Sequence, residues 1–254
     1  SLEKLIKEYL KDAEPGAAGL VEMDWWPAQI VDRLRQELTG WQIQDLGAIV
    51  RQQRQYPSES EEKLLRESAK ISAKAVAAGF SHDLTNAERA GKAELTARMA
   101  GVEDVYVFCT PATEQADVIE VLSEYRGYWT TAARIVLKGS ADWAPLMQRA
   151  YEAAANRLRS GVSQKELVKA IEPVLAGADV RWRVDLIHHM DLETNGEYRL
   201  PGEENHSFHT GAVAALRLEF TMPDGSHAVA ADTYQIDDAG AVCLTAGLPS
   251  VFFN

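Results

Sequence analysis

Residues 124–136 read EYRGYWTTAARIV, and the fold is decided here. Arg126-Gly127 is turn chemistry, because glycine reaches backbone angles closed to other residues. The following run, Thr131 to Leu137, is β-branched and apolar, and Val118 to Leu122 on the other side has the same character. The loop SEYRGYW therefore joins two strands, and Val105 to Cys109 makes a third strand just before them.

Working outward, Thr85 and Glu88 form a capping box that opens a helix running to Met99 and stopping at Gly101. Before it, Pro57-Ser58-Glu59-Ser60-Glu61-Glu62 starts a helix whose Leu64, Leu65, Ala69, Ile71, Ala73 and Val76 make an apolar stripe, with acids at its positive end. The plan then repeats. A helix from Ala144 to Arg159 stops at Gly161, and a second capping box of Ser163 and Glu166 opens a helix to Leu175. Strands follow near Val180 to Ile187, Ala212 to Thr221, Ala228 to Ile236 and Val242 to Leu244, with turns at Asp224-Gly225 and Ala239-Gly240. Two helices followed by antiparallel strands, twice, predict an α+β fold. In it, two pseudo-symmetric helix-helix-strand halves form a curved antiparallel sheet covered by helices. Residues 1–42 read as a short leader and 43–254 as the main domain. The leader holds a helix (Leu2 to Lys11), a strand near Gly19 to Glu22, and a helix that Pro27 starts and Gly40 stops.

The composition fits a folded chain with a full-sized core: 254 residues, 46% hydrophobic and 25% charged. Scattered acids give a net charge of −12, and no Lys/Arg run exceeds two, which argues against nucleic acid as a partner and favours basic partners or a small-molecule substrate. Cys109 and Cys243 lie in apolar surroundings without zinc or redox spacing and read as reduced core residues. No apolar run is long enough for a membrane span, and SLEKLIKEYL reads as an amphipathic helix rather than a signal peptide, so a cytoplasmic location is expected. Ser1 in place of Met predicts a processed or engineered start. No phosphate-cradling glycine loop, GxSxG elbow or HExxH pair is present.

Three stretches carry a resemblance to the pita-bread superfamily of creatinase, aminopeptidase P, prolidase and methionine aminopeptidase. They are VRQQRQYPSESEEKLLRESAKISAKAV (50–76), EYRGYWTTAARIV (124–136) and ADTYQIDDAGAVCLT (231–245), in the family's order and spacing. Metallopeptidases of that family bind two divalent metals through two aspartates eleven residues apart, a histidine and two glutamates. Those positions fall here on Glu120, Thr131, His188, Arg217 and Ala231. A hydroxyl, a guanidinium and a methyl replace three carboxylates, so no metal is expected. Placing the fourth ligand two residues later puts it on Glu219, on the same strand face, and leaves Glu120, His188 and Glu219 as a possible mononuclear set. The HE pair after the ligand histidine becomes Asn195-Gly196, and the substrate-side histidine before the hairpin has no counterpart.

Metal-free members such as creatinase imply a C–N hydrolase or lyase acting on a small polar nitrogen-containing molecule, without cofactor and as a homodimer. By that resemblance Glu120 is base or nucleophile and His188 the proton carrier. Arg217 clamps a carboxylate, and Thr131, Tyr128, Glu219 and Asn195 line the substrate. The leader reads as the remnant of a creatinase-type N-terminal domain. Each assignment has a structural counterpart. Glu120 and Arg217 can form a buried ion pair in place of the metals. His188, Thr131 and Tyr128 can be packing residues, and Arg134 an anchor for the hairpin. The superfamily also has non-catalytic binding and scaffold members, in which Arg217 and its neighbours would fill the pocket. Trp25-Trp26 cannot both face one core from an extended segment, so one is expected at the surface.

Overall fold

The structure, a computed structural model, describes residues 2–80, 83–194, 207–248 and 252–253. It divides into two compact units at Tyr56/Pro57.

The first unit contains α1 (Leu2–Tyr9), β1 (Ala17–Leu20), a 3-10 turn (Met23–Trp25), α2 (Ala28–Glu37), β2 (Gln42–Asp45) and α3 (Gly47–Arg54). β1 and β2 pair in parallel, from Ala17 opposite Gln42 to Leu20 opposite Asp45. That pairing explains why the unit runs to Tyr56 instead of ending at Gln42, since a break at Gln42 would cut β2 from its partner. Asp45 accepts a hydrogen bond from the Gly47 N–H at 2.8 Å, which fixes the entry to α3. Gly40 has φ +87, the left-handed stop expected after α2. The tryptophan pair is split as expected: Trp25 is exposed, while Trp26 is half-buried and its Nε1 donates to the Val21 carbonyl at 3.2 Å.

The second unit opens with α4 (Glu59–Gly79) and α5 (Asn86–Met99), then β3 (Asp104–Thr113), β4 (Ala116–Tyr125) and β5 (Tyr128–Leu137). It continues with α6 (Ala144–Ala155), β6 (Val162–Ser163), α7 (Gln164–Ile171), β7 (Arg181–His188), a 3-10 turn (His189–Thr194) and β8 (Ser207–Phe208). β9 (Val213–Thr221), β10 (His227–Asp237), β11 (Gly240–Cys243) and β12 (Phe252–Phe253) complete it. Both expected capping boxes close, with the Thr85 N–H on Glu88 and the Ser163 N–H on Glu166, each at 2.9 Å. Ser58 and Glu61 make a third at the start of α4.

The main sheet has the order β3-β4-β5-β10-β9-β7, with β11 beside β10 and β12 beside β5. All pairs are antiparallel except β5 with β12. Side chains alternate between its faces. Ile119, Val121, Ala132 and Val136 point toward the helices and pack with Ile71, Ala75 and Val76 of α4 and Ala93 and Ala97 of α5. Leu216, Leu218 and Phe220 belong to the core that includes Tyr151, Leu167 and Ile171 of α6 and α7. α4 comes so close that a Cβ on Gly79 would lie 2.3 Å from Ile119 and 3.0 Å from the Arg89 carbonyl. Its inner face also carries a buried hydroxyl seam. Ser72 meets Ser123 at 2.7 Å, and Ser68 meets Thr130 at 2.9 Å.

Arg134, expected as an anchor, pairs with Asp232 at 2.8 Å, and Tyr151 donates to the second oxygen of that carboxylate at 2.9 Å. This buried group locks β5, β10 and α6 together. Among the described residues, no helix is long and apolar enough to cross a membrane, and both cysteines are free.

Candidate functional site

The face of the sheet away from the helices carries one row of cross-strand partners. Glu120 on β4 lies opposite Ala133, Ala133 opposite Ala231, Ala231 opposite Arg217, and Arg217 opposite Asp185 on β7. Directly paired residues share a face, so three of the carried-over positions, Glu120, Ala231 and Arg217, stand in one line. The two alanines between them are the reason Glu120 and Arg217 can meet. Arg217 reaches over them and donates from Nε to Glu120 at 2.8 Å and from Nη2 to its other oxygen at 3.3 Å. From Nη1 it donates to Glu219 at 2.8 Å.

These side chains are largely withdrawn from water, with exposures of 8% for Glu120, 17% for Arg217 and 25% for Glu219. Burial disfavours the charged guanidinium. The charge of Glu120 and its hydrogen bonds, then those of Glu219, outweigh that cost and raise Arg217 still further above its ordinary value. For Glu219, burial works against the ionised form, but Arg217 and then His227 win and hold the carboxyl below its usual range. Glu219 Oε1 also lies 3.0 Å from His227 Nδ1.

The next row on the same face is Leu122, Thr131, Thr233, Ala215 and Ile187. Leu122, Ile187 and Ala215 form one apolar cluster with Trp129 and with Leu192 from the turn after β7, and none of the five is more than 5% exposed. Tyr106 stacks on Trp129 at 5.3 Å. Packing, not an open polar hollow, occupies this part of the face. Thr131 is buried among these groups, its Oγ1 without a hydrogen-bond partner, while its backbone N–H donates to Thr233 at 2.9 Å.

Glu120, Arg217, Glu219 and Thr131 thus share one face. His188 does not join them. It is opposite Ala214 in the register, on the side of Leu186 and the helices, with its ring 4.5 Å from His189 and 6.2 Å from Phe208. It lies three positions beyond Asp185, and a strand reverses its face at every step. Tyr128 likewise faces the helices, packing beside Leu65 and Ala69 and donating from its hydroxyl to Glu61 at 2.8 Å. Asn195 lies outside the described residues. Sequence reasoning missed His227, Asp185 and Leu192. His227 was within reach, since the Asp224-Gly225 turn sets Thr221 opposite His227 and so aligns it with Glu219 and Arg217.

A divalent metal does not suit these residues. Glu120 and Glu219 are both committed to Arg217, whose fixed positive charge sits between them, Asp185 is paired with Arg183, and His188 is on the other side of the sheet. Among the described residues, no group of three or more His, Cys, Asp or Glu is placed to hold a metal ion.

No family model and no curated protein matches the sequence. Solved structures do match over nearly all of it. An X-Pro aminopeptidase from Thermotoga maritima MSB8 superposes with a TM-score of 0.81 at 17% identity, covering 100% of this chain and 79% of that one. A Xaa-Pro dipeptidase from Bacillus anthracis gives 0.78 at 12% identity, with 100% and 79% covered. A prolidase from Pyrococcus horikoshii OT3 gives 0.76 at 18% identity, with 97% and 79% covered. The chain therefore has the pita-bread fold of the creatinase, aminopeptidase P and prolidase superfamily, without, among its described residues, the ligand set of a metal site.

Proposed function

We propose that the second unit is a non-catalytic member of the pita-bread fold, a binding or scaffold protein in which an internal cation has replaced the catalytic centre. The carrying observation is the clasp of Arg217 by Glu120 and Glu219 on a face otherwise packed by Leu122, Trp129, Ile187 and Leu192. A base or nucleophile needs a free lone pair beside a space for substrate. Both oxygens of Glu120 are instead engaged by one guanidinium. The proposal includes a cytoplasmic setting with reduced cysteines, a homodimer, and a first unit derived from a creatinase-type N-terminal domain.

One observation favours a second reading, a metal-independent hydrolase or lyase for a small nitrogen-containing molecule. Thr131 Oγ1 is a buried hydroxyl with an unused hydrogen-bonding capacity on the same face as Glu120. The test is turnover of Xaa-Pro dipeptides and of creatine-like amidines, with and without manganese, cobalt and zinc, alongside metal content per chain. The scaffold reading expects no turnover and no stoichiometric metal. Metal-free turnover that disappears in Glu120→Gln would establish the second reading. Near-stoichiometric metal would return a reduced Glu120 and Glu219 metal site to consideration.

A further inference from the structure

Where β7 and β9 part at the end of the sheet, a polar recess of about 320 Å³ is lined by Asp179, Arg181, Thr221, Met222 and Pro223, with Ala178 and Val180. Arg181, Thr221 and His227 form one register row on β7, β9 and β10, two rows along from Glu120 and Arg217. Three features of the recess point to a ligand.

The first is the state of Thr221. His227 Nδ1 lies 3.0 Å from Glu219 Oε1 and 3.2 Å from Thr221 Oγ1. The Glu219 carboxylate, bonded to Arg217, can only accept, so the proton is on Nδ1. Thr221 Oγ1 is then a second acceptor for that N–H, and its own hydrogen is left to point elsewhere. The second feature is that Asp179 and Arg181 line one recess yet no ion pair or hydrogen bond joins them among the described residues. Arg183, the next residue on that face of β7, is by contrast paired with Asp185 at 2.7 Å. The third is the wall at Pro223, which is exposed, apolar and lacks a backbone donor.

We infer that this recess binds a small zwitterion of the α-amino acid class. Its carboxylate takes the Arg181 guanidinium and the Thr221 hydroxyl, its ammonium takes Asp179, and its side chain rests on Pro223. A ligand carrying one charge would leave either Asp179 or Arg181 unmatched, whereas a zwitterion satisfies both. His227 acts as a positioning residue, since its N–H on Thr221 Oγ1 turns the hydroxyl hydrogen toward the recess. This site is separate from the clasp at Glu120 and does not depend on whether that centre is catalytic.

The test uses the full chain and L-alanine as probe, followed by amide NMR shifts at Asp179, Arg181 and Thr221. Acetate and methylammonium serve as half-ligands at matched ionic strength. Saturable binding in the millimolar range is expected, with neither half-ligand saturating in the same range. Asp179→Asn and Arg181→Ala are each expected to weaken it by about tenfold or more. Arg157→Ala, an exposed change elsewhere, leaves it unaltered. Binding by acetate as tight as by alanine would replace the inference with a simple oxyanion site, and the same result with methylammonium with a cation site. No saturable shift, or equal weakening by Arg157→Ala, overturns it outright. Circular dichroism confirms folding, which these exposed substitutions leave intact.

Discussion

Replacing Arg217 by Met tests whether an internal cation holds the face together. Glu120 and Arg217 are 8% and 17% exposed, so water screens the pair little. Removing the guanidinium strands the Glu120 carboxylate over two alanines, and breaking a buried pair in this way costs about 3–5 kcal/mol. Glu219 loses less, because it keeps His227 and is 25% exposed, which puts its share at surface values of about 0.5 kcal/mol. A total of about 3.5–5.5 kcal/mol lowers the melting temperature of a domain this size by roughly 7–22 °C. The double variant Glu120→Met with Arg217→Met removes both charges, and it should regain most of the loss, because paired apolar replacements are often neutral. The assay is thermal and urea unfolding of wild type, both single variants and the double, closed as a cycle. A loss below about 1 kcal/mol in Arg217→Met, or a double variant no more stable than the single, would refute the reasoning.

Three further outcomes are expected. Glu219 is held below its ordinary value of 4.5, so its contribution to stability is complete above that pH and is lost as pH falls through the depressed folded value. Melting curves from pH 7 downward should show a shallower acid decline in Glu219→Gln, and an identical decline would exclude Glu219 as a source. Burial, against the opposing pull of Arg89, pushes the Cys109 thiol up to about 11. Native-state alkylation at pH 8 should run about a hundredfold slower than for an ordinary thiol and recover in denaturant, as mass spectrometry can resolve. Leu192→Ala, which opens a void beneath the turn after β7, should destabilise by about 2–5 kcal/mol in urea unfolding. A change under about 1 kcal/mol would mean Leu192 does not fill that face.

Helices and strands of the second unit were legible because their punctuation is local. Thr85 with Glu88, Ser163 with Glu166, and the turns at Gly127 and Gly225 state their geometry within a few residues. The site was only half legible. Period two correctly aligned Arg217 with Glu219, but His188 was assigned by analogy of motif, and strand parity carries it to the helix side. Glu120 and Arg217 are 97 residues apart, and only the register through Ala133 and Ala231 brings them together. The boundary at Tyr56 was hidden for a similar reason, since it depends on β2 pairing with β1. Packing by Leu192 left no signal in the sequence at all, because a lone leucine in a turn says nothing about what it covers.

Ala133 and Ala231 also bear on which substitutions this chain can accept. Their small side chains let Arg217 lie across to Glu120, so an acid at position 231, the last of the carried-over positions, would be claimed by the guanidinium rather than by a metal for as long as Arg217 is there. Arg217 would have to go first, and that step alone forfeits the pair and leaves Glu120 stranded. Building a metal site on this face therefore crosses a less stable intermediate whichever acid is added next, and the clasp works as a ratchet that is hard to leave one substitution at a time.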